Sequence, residues 1–582
     1  MSTAPPLPAP ELPGPRGPKR RGCLLTALFA GAVLAALLVL VVGLAALLTQ
    51  APPVPEGSIL VVGTERPFPE ALPYAPMPFA DAGPSFGEMV RLVAGAADDS
   101  RISGLHLRIG GAGLGFAGAR ELRELAARFR ENGKRVTAAV ERAGLLDYYL
   151  ATAADRIHLH PRGELGLFGV SFETMFFADL FEELGIEAQF EAIGPWKTAP
   201  ETYTRSGMSE AQRNQLTAIA AGYRAEVTEA VAEARGLDGA EAAGILADGP
   251  YTADHALALG LVDVLTYRDE LEDDLLGSPR LDLRDYARSR RFGPGGGVGD
   301  VVAVVHVDGA ILPGASLEDL VLGKVAGAAT VADALVEARD DPAVAAIVMR
   351  VSSPGGVDTA ADTIWRAAAL AGEQKPLVAS FGDTAASGGY WVATAASHIV
   401  ADPFSLTGSI GVFAGKFSVG RMLGKIGVGM EVVSSGGNPD WLSPARPLDE
   451  EDLSRLRQTI RETYEVFLDR VADARGMTPA EVEAIAGGRV FTGRQAVEAG
   501  LVDDLGGLLD AVRLAATEAG LPDDVPPAVR FLPHPPTFLE ALEARLLPGG
   551  GLREAARRQI PLLRTMGSGA RMALLPFQPA IR

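Results

Sequence analysis

Ser387 stands in Gly382-Asp383-Thr384-Ala385-Ala386-Ser387-Gly388-Gly389-Tyr390-Trp391, a single hydroxyl among small residues that permit a tight turn. A serine hydroxyl is a weak nucleophile, and it attacks a carbonyl only when a neighbouring base takes its proton. Lys197, in Gly194-Pro195-Trp196-Lys197-Thr198, is the candidate base. Lysine serves in that role once burial lowers its pKa toward neutrality, and Pro195 and Trp196 could supply the apolar cover. The seven histidines form no HExxH and no close cluster with carboxylates, and Cys23 is the only cysteine, so no metal and no cofactor is expected. His398 and Asp402 invite a Ser-His-Asp reading, but their closeness to Ser387 in sequence gives no triad geometry.

Ser387 and Lys197 are linked by a comparison of the chain with itself. Asp98-Asp99-Ser100-Arg101-Ile102 aligns with Asp340-Asp341-Pro342-Ala343-Val344, an offset of 340 − 98 = 242. The same offset lays Tyr148-Tyr149-Leu150-Ala151-Thr152-Ala153-Ala154 over Tyr390-Trp391-Val392-Ala393-Thr394-Ala395-Ala396, and Gly169-Val170 over Gly411-Val412. After a small slip, the LGLVD of 259–263 recurs as AGLVD at 499–503. The chain is a tandem duplication. Its copies have lost complementary residues. Leu145 stands opposite Ser387, and Leu146-Asp147 opposite Gly388-Gly389; Pro439 stands opposite Lys197, with no lysine from Ile426 through Ala445. One copy keeps the serine and the other the lysine, as a dyad divided across a duplicated fold requires.

The elements that must position these residues read as alternating strands and helices. Residues 301–307, 346–351 and 377–381 are continuous apolar runs, as strands buried on both faces should be, with helical spacing over 359–372 and a long amphipathic pattern over 448–475. An α/β fold with mostly parallel strands follows. Ser387 then ends a strand and opens a helix, which makes the Gly388 N–H one oxyanion-hole candidate. Gly355 or Gly356, in Ser352-Ser353-Pro354-Gly355-Gly356, supplies a second. Tyr148 and Tyr390, kept in both copies, read as packing, and Asp98-Asp99 and Asp340-Asp341 as turn residues before strands.

Of 582 residues, 48% are apolar, and the formal charge of −20 argues against nucleic acid as a partner. Residues 1–21 read as a disordered cytoplasmic tail ending in Lys19-Arg20-Arg21, and 22–48 as a transmembrane anchor, because Leu24–Leu48 carries neither charge nor proline. The domains expected are 57–286, carrying the lysine, and 301–520, carrying the serine. A glycine-rich linker at 287–300 joins them, and a tail at 521–582 follows.

Arg350-Val351-Ser352-Ser353-Pro354-Gly355-Gly356, residues 383–396, Leu406-Thr407-Gly408-Ser409-Ile410-Gly411-Val412 and residues 196–209 together resemble the long form of signal peptide peptidase A, or protease IV, over most of 57–515. The resemblance implies Ser387 as nucleophile, Lys197 as general base and Ser409 as a hydrogen-bond partner of the lysine. It implies tandem domains like those of the Clp protease proteolytic subunit and the crotonases, and a homotetramer on the outer face of the inner membrane. Cleaved signal peptides and other short apolar peptides are the implied substrates. Trp196 stands where the family pattern has a tyrosine, and Ala199-Pro200-Glu201 where it has a Glu-Pro pair, which bears on substrate contacts more than on the base. Two other functions compete: an inactive membrane-anchored scaffold of the same fold, and an acyl-CoA enzyme of crotonase type. Against the latter stands the anchor, since acyl-CoA is cytoplasmic.

Overall fold

The computed structural model describes residues 53–71, 83–111, 113–274, 278–291, 300–319, 323–534 and 572–574. The anchor expected at 22–48 lies outside them, and among the described residues no helix is long and apolar enough to cross a membrane. Two compact units divide the chain, Met1–Pro53 with Arg288–Gly295 and Val54–Ala287 with Gly296–Arg582; both copies of the repeat lie in the second.

The duplication holds element by element. Helices start at Phe86 and Ala328 and again at Phe116 and Asp358; strands start at Ile102 and Val344, Arg135 and Leu377, Arg156 and His398. Each pair is separated by 242 positions, the offset read from the sequence blocks. Each copy builds one largely parallel sheet in the same spatial order. In the first copy the order is Tyr251–Thr252, Arg156–Gly166, Arg135–Gly144, Ile102–Ile109, Ser58–Gly63, Arg280–Asp282. In the second it is Val490–Thr492, Leu406–Gly408, Leu377–Ala386, Val344–Ser353, Val301–Asp308, Ala528–Leu532. Val302 to Val305 and Ile347 to Met349 are all buried, which is why these strands read as unbroken apolar runs rather than as alternating patterns.

A third sheet belongs to both copies. Glu187–Ala192 from the first pairs antiparallel with Phe413–Ser418 from the second, in register from Phe413↔Ala192 to Ser418↔Glu187. Phe190, Tyr203 and Phe417 cluster at this seam, with ring centroids 5.2 to 5.8 Å apart and Phe417 edge-on to the other two. The segment immediately after Ala192 carries Lys197, so this pairing delivers the first copy's lysine to the second copy.

Charged groups buried between the copies fix their relative placement. Arg350, the arginine of the RVSSPGG motif, is 1% exposed; its Nη2 lies 2.8 Å from Glu121 Oε1 and 3.3 Å from Glu70 Oε1, both in the first copy. Glu121 Oε2 in turn accepts the Leu508 N–H at 2.8 Å. Arg120 Nη1 reaches the fully buried Asp402 at 3.1 Å. Breaking such a pair strands a charge in a dry interior at a cost of about 3–5 kcal/mol, so each pair opposes any sliding of one copy past the other.

Candidate active site

The strand Leu377–Ala386 runs beside Leu406–Gly408, with Ala386 opposite Gly408, and a serine follows each strand end. Ser387 donates its N–H to Gly408 O at 2.8 Å, and Ser409 donates its own to Arg489 O at 2.7 Å. Ser387 has φ 57° and ψ −115°, and Ser409 has φ 50°; among the described residues they are the only non-glycines with positive φ. Backbone conformations of this kind cost on the order of 1–3 kcal/mol each and persist only where surrounding structure enforces them. Here the enforcement comes from the two paired strands and from the helix Gly388–Ala393 that begins directly after Ser387.

The two serines and Lys197 meet at one point. Lys197 Nζ lies 2.7 Å from Ser387 Oγ, 2.9 Å from Ser409 O and 3.0 Å from Ser409 Oγ. All three residues are buried, Lys197 at 2% exposure and both serines at none. Burial drives the lysine pKa well below its ordinary value of 10.5, with no charged neighbour contributing. A neutral amine has two N–H groups and one lone pair. The two N–H groups match the two Ser409 oxygens, and the lone pair matches the Ser387 hydroxyl proton. Neutralised in this way, the amine has every partner it needs; an ammonium would be left with no counter-charge.

The loop at Ala486–Arg489 holds the lysine from behind. Trp196 donates its N–H to Gly487 O at 2.9 Å. Gly488 sits at φ +86°, and a Cβ there would lie 2.4 Å from Lys197 N and 2.5 Å from its Cα. Only glycine fits that position on both counts. Sequence reasoning passed over this pair; the doubled glycine directly after the capped helix Pro479–Ile485 was the available signal.

Of the oxyanion-hole candidates, Gly388 opens the helix after Ser387. Gly355, at φ +100°, donates its N–H to Ser353 Oγ at 3.1 Å and is thereby committed within the protein. Gly356 lies in the strand Gly355–Val357, opposite Ile311. Asp383, four residues before the nucleophile candidate, accepts the Ala117 N–H of the first copy at 3.0 Å, and burial pushes its carboxyl up to about 6. Its contact ties the turn's approach strand to the first copy. His398 is no partner of Ser387: its Nε2 lies 2.7 Å from Asp504, and Asp402 is held by Arg120. Tyr148 and Tyr390 are buried and donate to Leu261 O and Leu501 O, matching interior contacts of the two copies.

A strained serine whose hydroxyl abuts a buried, neutralised amine can form and release a covalent acyl intermediate, which is the chemistry of a serine hydrolase. The profile of Peptidase family S49 matches residues 128–276 and 369–522. "Protease 4" of Salmonella typhi is 34% identical over 468 residues, covering 75% of this chain and 72% of that protein. "Serine protease SPPA, chloroplastic" of Arabidopsis thaliana is 31% identical over 476 residues, covering 79% and 69%. The chain belongs to peptidase family S49 and is a serine peptidase. Among solved structures, ClpP1 from Listeria monocytogenes matches 36% of this chain and 93% of its own at 15% identity, with a TM-score of 0.23 too low to argue from.

The shifted amine has a consequence for stability. The unfolded chain keeps the lysine proton up to about its ordinary 10.5, while the folded chain releases it at lower pH. Between those two values the unfolded state binds more protons, so the amine's contribution to stability rises with pH. Lys197→Met removes this dependence. The melting temperature of the variant minus that of the parent is expected to fall as pH rises toward 10.5; a difference that stays constant on that approach contradicts a shifted amine.

Proposed function

We propose that this peptidase works through a dyad of Ser387 and Lys197 and cleaves short apolar peptides, cleaved signal peptides among them, outside the cytoplasm. The observation that carries the reading is the 2.7 Å separation of Lys197 Nζ and Ser387 Oγ in a site with no carboxylate bonded to the amine. As the peptide carbonyl is attacked, the Ser387 proton passes to Lys197 and the oxyanion forms beside the Gly388 N–H. Collapse breaks the C–N bond, and the amine leaving group takes the proton from Lys197. A water then repeats the sequence on the acyl-enzyme and restores the serine. Ser409 acts as a positioning residue, holding the lone pair of Lys197 toward Ser387 through its two oxygens.

Substrate class follows from two features. Peptide substrates suit an extended site beside Gly355–Val357, and the names of relatives support signal peptides, one being "Putative signal peptide peptidase SppA" of Enterococcus faecium, 34% identical over 190 residues. The Clp/crotonase type of each domain and a single-pass anchor at 22–48, with the catalytic copies on the periplasmic side, belong to the same reading. A homotetramer does too, and it has a physical basis in the repeat. Within the chain, 187–192 of the first copy pairs with 413–418 of the second. The offset makes 429–434 and 171–176 the reciprocal partners, yet no ladder joins them among the described strands, and Met175 (73%) and Val433 (99%) stand exposed. A second copy of the chain, placed head to tail, would cover the exposed Met175 and Val433.

The direct test is hydrolysis of a synthetic apolar signal-like peptide by the detergent-solubilised protein. Ser387→Ala and Lys197→Ala are each expected to lower kcat/KM by ~10³-fold or more, and the double variant by no more than either alone. Full activity in Ser387→Ala refutes the dyad. For the assembly, sedimentation of Val433→Asp is expected to give a smaller particle than the parent; an unchanged mass removes that surface from the interface.

A further inference from the structure

Within the chain, the first copy's helix Phe116–Glu131 docks on the second copy through residues of its first turns. The Phe116 and Phe404 ring centroids lie 5.1 Å apart, and Ala117 donates its N–H to Asp383 Oδ1 at 3.0 Å. Arg120 Nη1 lies 3.1 Å from Asp402 Oδ2, and Glu121 Oε1 lies 2.8 Å from Arg350 Nη2. Because the chain is a duplication, every one of these residues has a counterpart 242 positions away.

On the receiving side the offset gives Arg162 for Phe404, Glu141 for Asp383, His160 for Asp402 and Arg108 for Arg350. The offset runs without a gap here, since Gly144 pairs with Gly166 as Ala386 pairs with Gly408. All four counterparts line a single cavity of about 950 Å³ on the first copy's sheet. On the docking side the offset gives Asp358, Thr359, Asp362 and Thr363, in the first turns of the helix Asp358–Gly372. Thr359, Asp362 and Thr363, spaced i, i+3 and i+4, share one face of that helix, and both threonines are exposed. Inside the chain Asp362 pairs with Arg470 of its own copy at 3.0 Å rather than with any residue of the cavity.

The two sets of counterparts are complementary in charge. Five arginines and three histidines line the cavity against three carboxylates, in a chain whose formal charge is −20. Arg142 and Arg162 in its wall form no side-chain hydrogen bond or ion pair among the described residues. His160 Nδ1 accepts the Arg162 N–H at 3.1 Å, which leaves the ring proton on Nε2 as a donor. The polarity is the reverse of the contact inside the chain. There an arginine on the helix meets an aspartate on the sheet; here an aspartate on the helix faces a histidine among arginines, and Asp358 and Arg162 replace the two phenylalanines.

We infer that this cavity is the seat of the helix Asp358–Gly372 of a second copy of the chain, with that copy's Asp362 meeting His160 and its Asp358 meeting Arg162. The inference rests on the head-to-tail assembly proposed above and names a second contact of the same junction. Reversed polarity also sorts the two junctions. A helix Phe116–Glu131 offered to this seat would set Arg120 against arginines, so the seat rejects the first copy's helix and accepts the second's.

The test is sedimentation velocity of the detergent-solubilised full chain. Asp362→Arg is expected to weaken association about tenfold or more, because it turns a guanidinium toward the arginines of the seat. His160→Asp is expected to weaken it as well, by facing Asp362 with a carboxylate. The two substitutions together recreate the Arg120–Asp402 arrangement and are expected to restore the parent's association, which a merely damaged fold would not do. An Asp362→Arg chain that associates as the parent does, or a double variant no stronger than Asp362→Arg alone, overturns the inference. If Val433→Asp gives a smaller particle while Asp362→Arg does not, the assembly stands and the seat is refuted. A parent that sediments as one chain overturns the seat and the assembly together.

Discussion

A lysine amine buried without a carboxylate partner is the constraint on which the rest of this structure depends. Putting an ammonium into a dry interior costs far more than any single hydrogen bond returns, so the amine survives there only as the neutral base. That condition dictates its surroundings. Gly488 lets its loop pack directly against the lysine's own backbone, and the two Ser409 oxygens take both N–H groups. The only remaining partner, the Ser387 hydroxyl, is the group that a base must reach. Burial thus supplies both the pKa and the geometry, and the strained φ values of Ser387 and Ser409 are the local cost of aiming two hydroxyls at one nitrogen.

Duplication explains how such a site arises without loss of fold. A single unit must carry every catalytic group on its own strands and loops; two joined units can each drop part of the set. The first copy has lost the serine turn, with Leu145 now packed in its core, and the second has lost the lysine loop. What keeps the divided site assembled is the antiparallel pairing of Glu187–Ala192 with Phe413–Ser418 together with the buried pairs of Arg350 and Arg120. The RVSSPGG motif therefore serves two ends: its arginine pairs with carboxylates of the other copy, and its glycines lie in a strand of the shared sheet.

Much of this was legible in the sequence because duplication writes the same physical requirements twice. The buried parallel strands, the helix after Ser387 and the long helix Glu450–Arg475 follow from apolar runs and helical spacing, and the repeat offset locates the missing serine and missing lysine. Less was visible where tertiary context decides. The strand at Leu377 extends through Gly382-Asp383-Thr384-Ala385-Ala386, all but Thr384 of poor strand propensity, because Thr384 to Ala386 gain a second ladder from Leu406–Gly408. Glu187–Ala192, with two glutamates in six residues, gave no sign of pairing with a strand more than two hundred residues away. Gly488 escaped notice for a related reason: it matters through what it lies against, and no periodicity records that.

The central claim is that one buried amine activates one serine. Its most direct measurement is the pH dependence of acylation by the p-nitrophenyl ester of an apolar peptide, with the acyl-enzyme trapped in acid and mapped by mass spectrometry. The structure predicts a single acyl group on Ser387, formed at a rate that rises with pH through an apparent pKa well below 10.5 and is lost in Lys197→Ala. An acyl group on any other residue, or a Lys197→Ala chain acylated at the parent's rate, would contradict it.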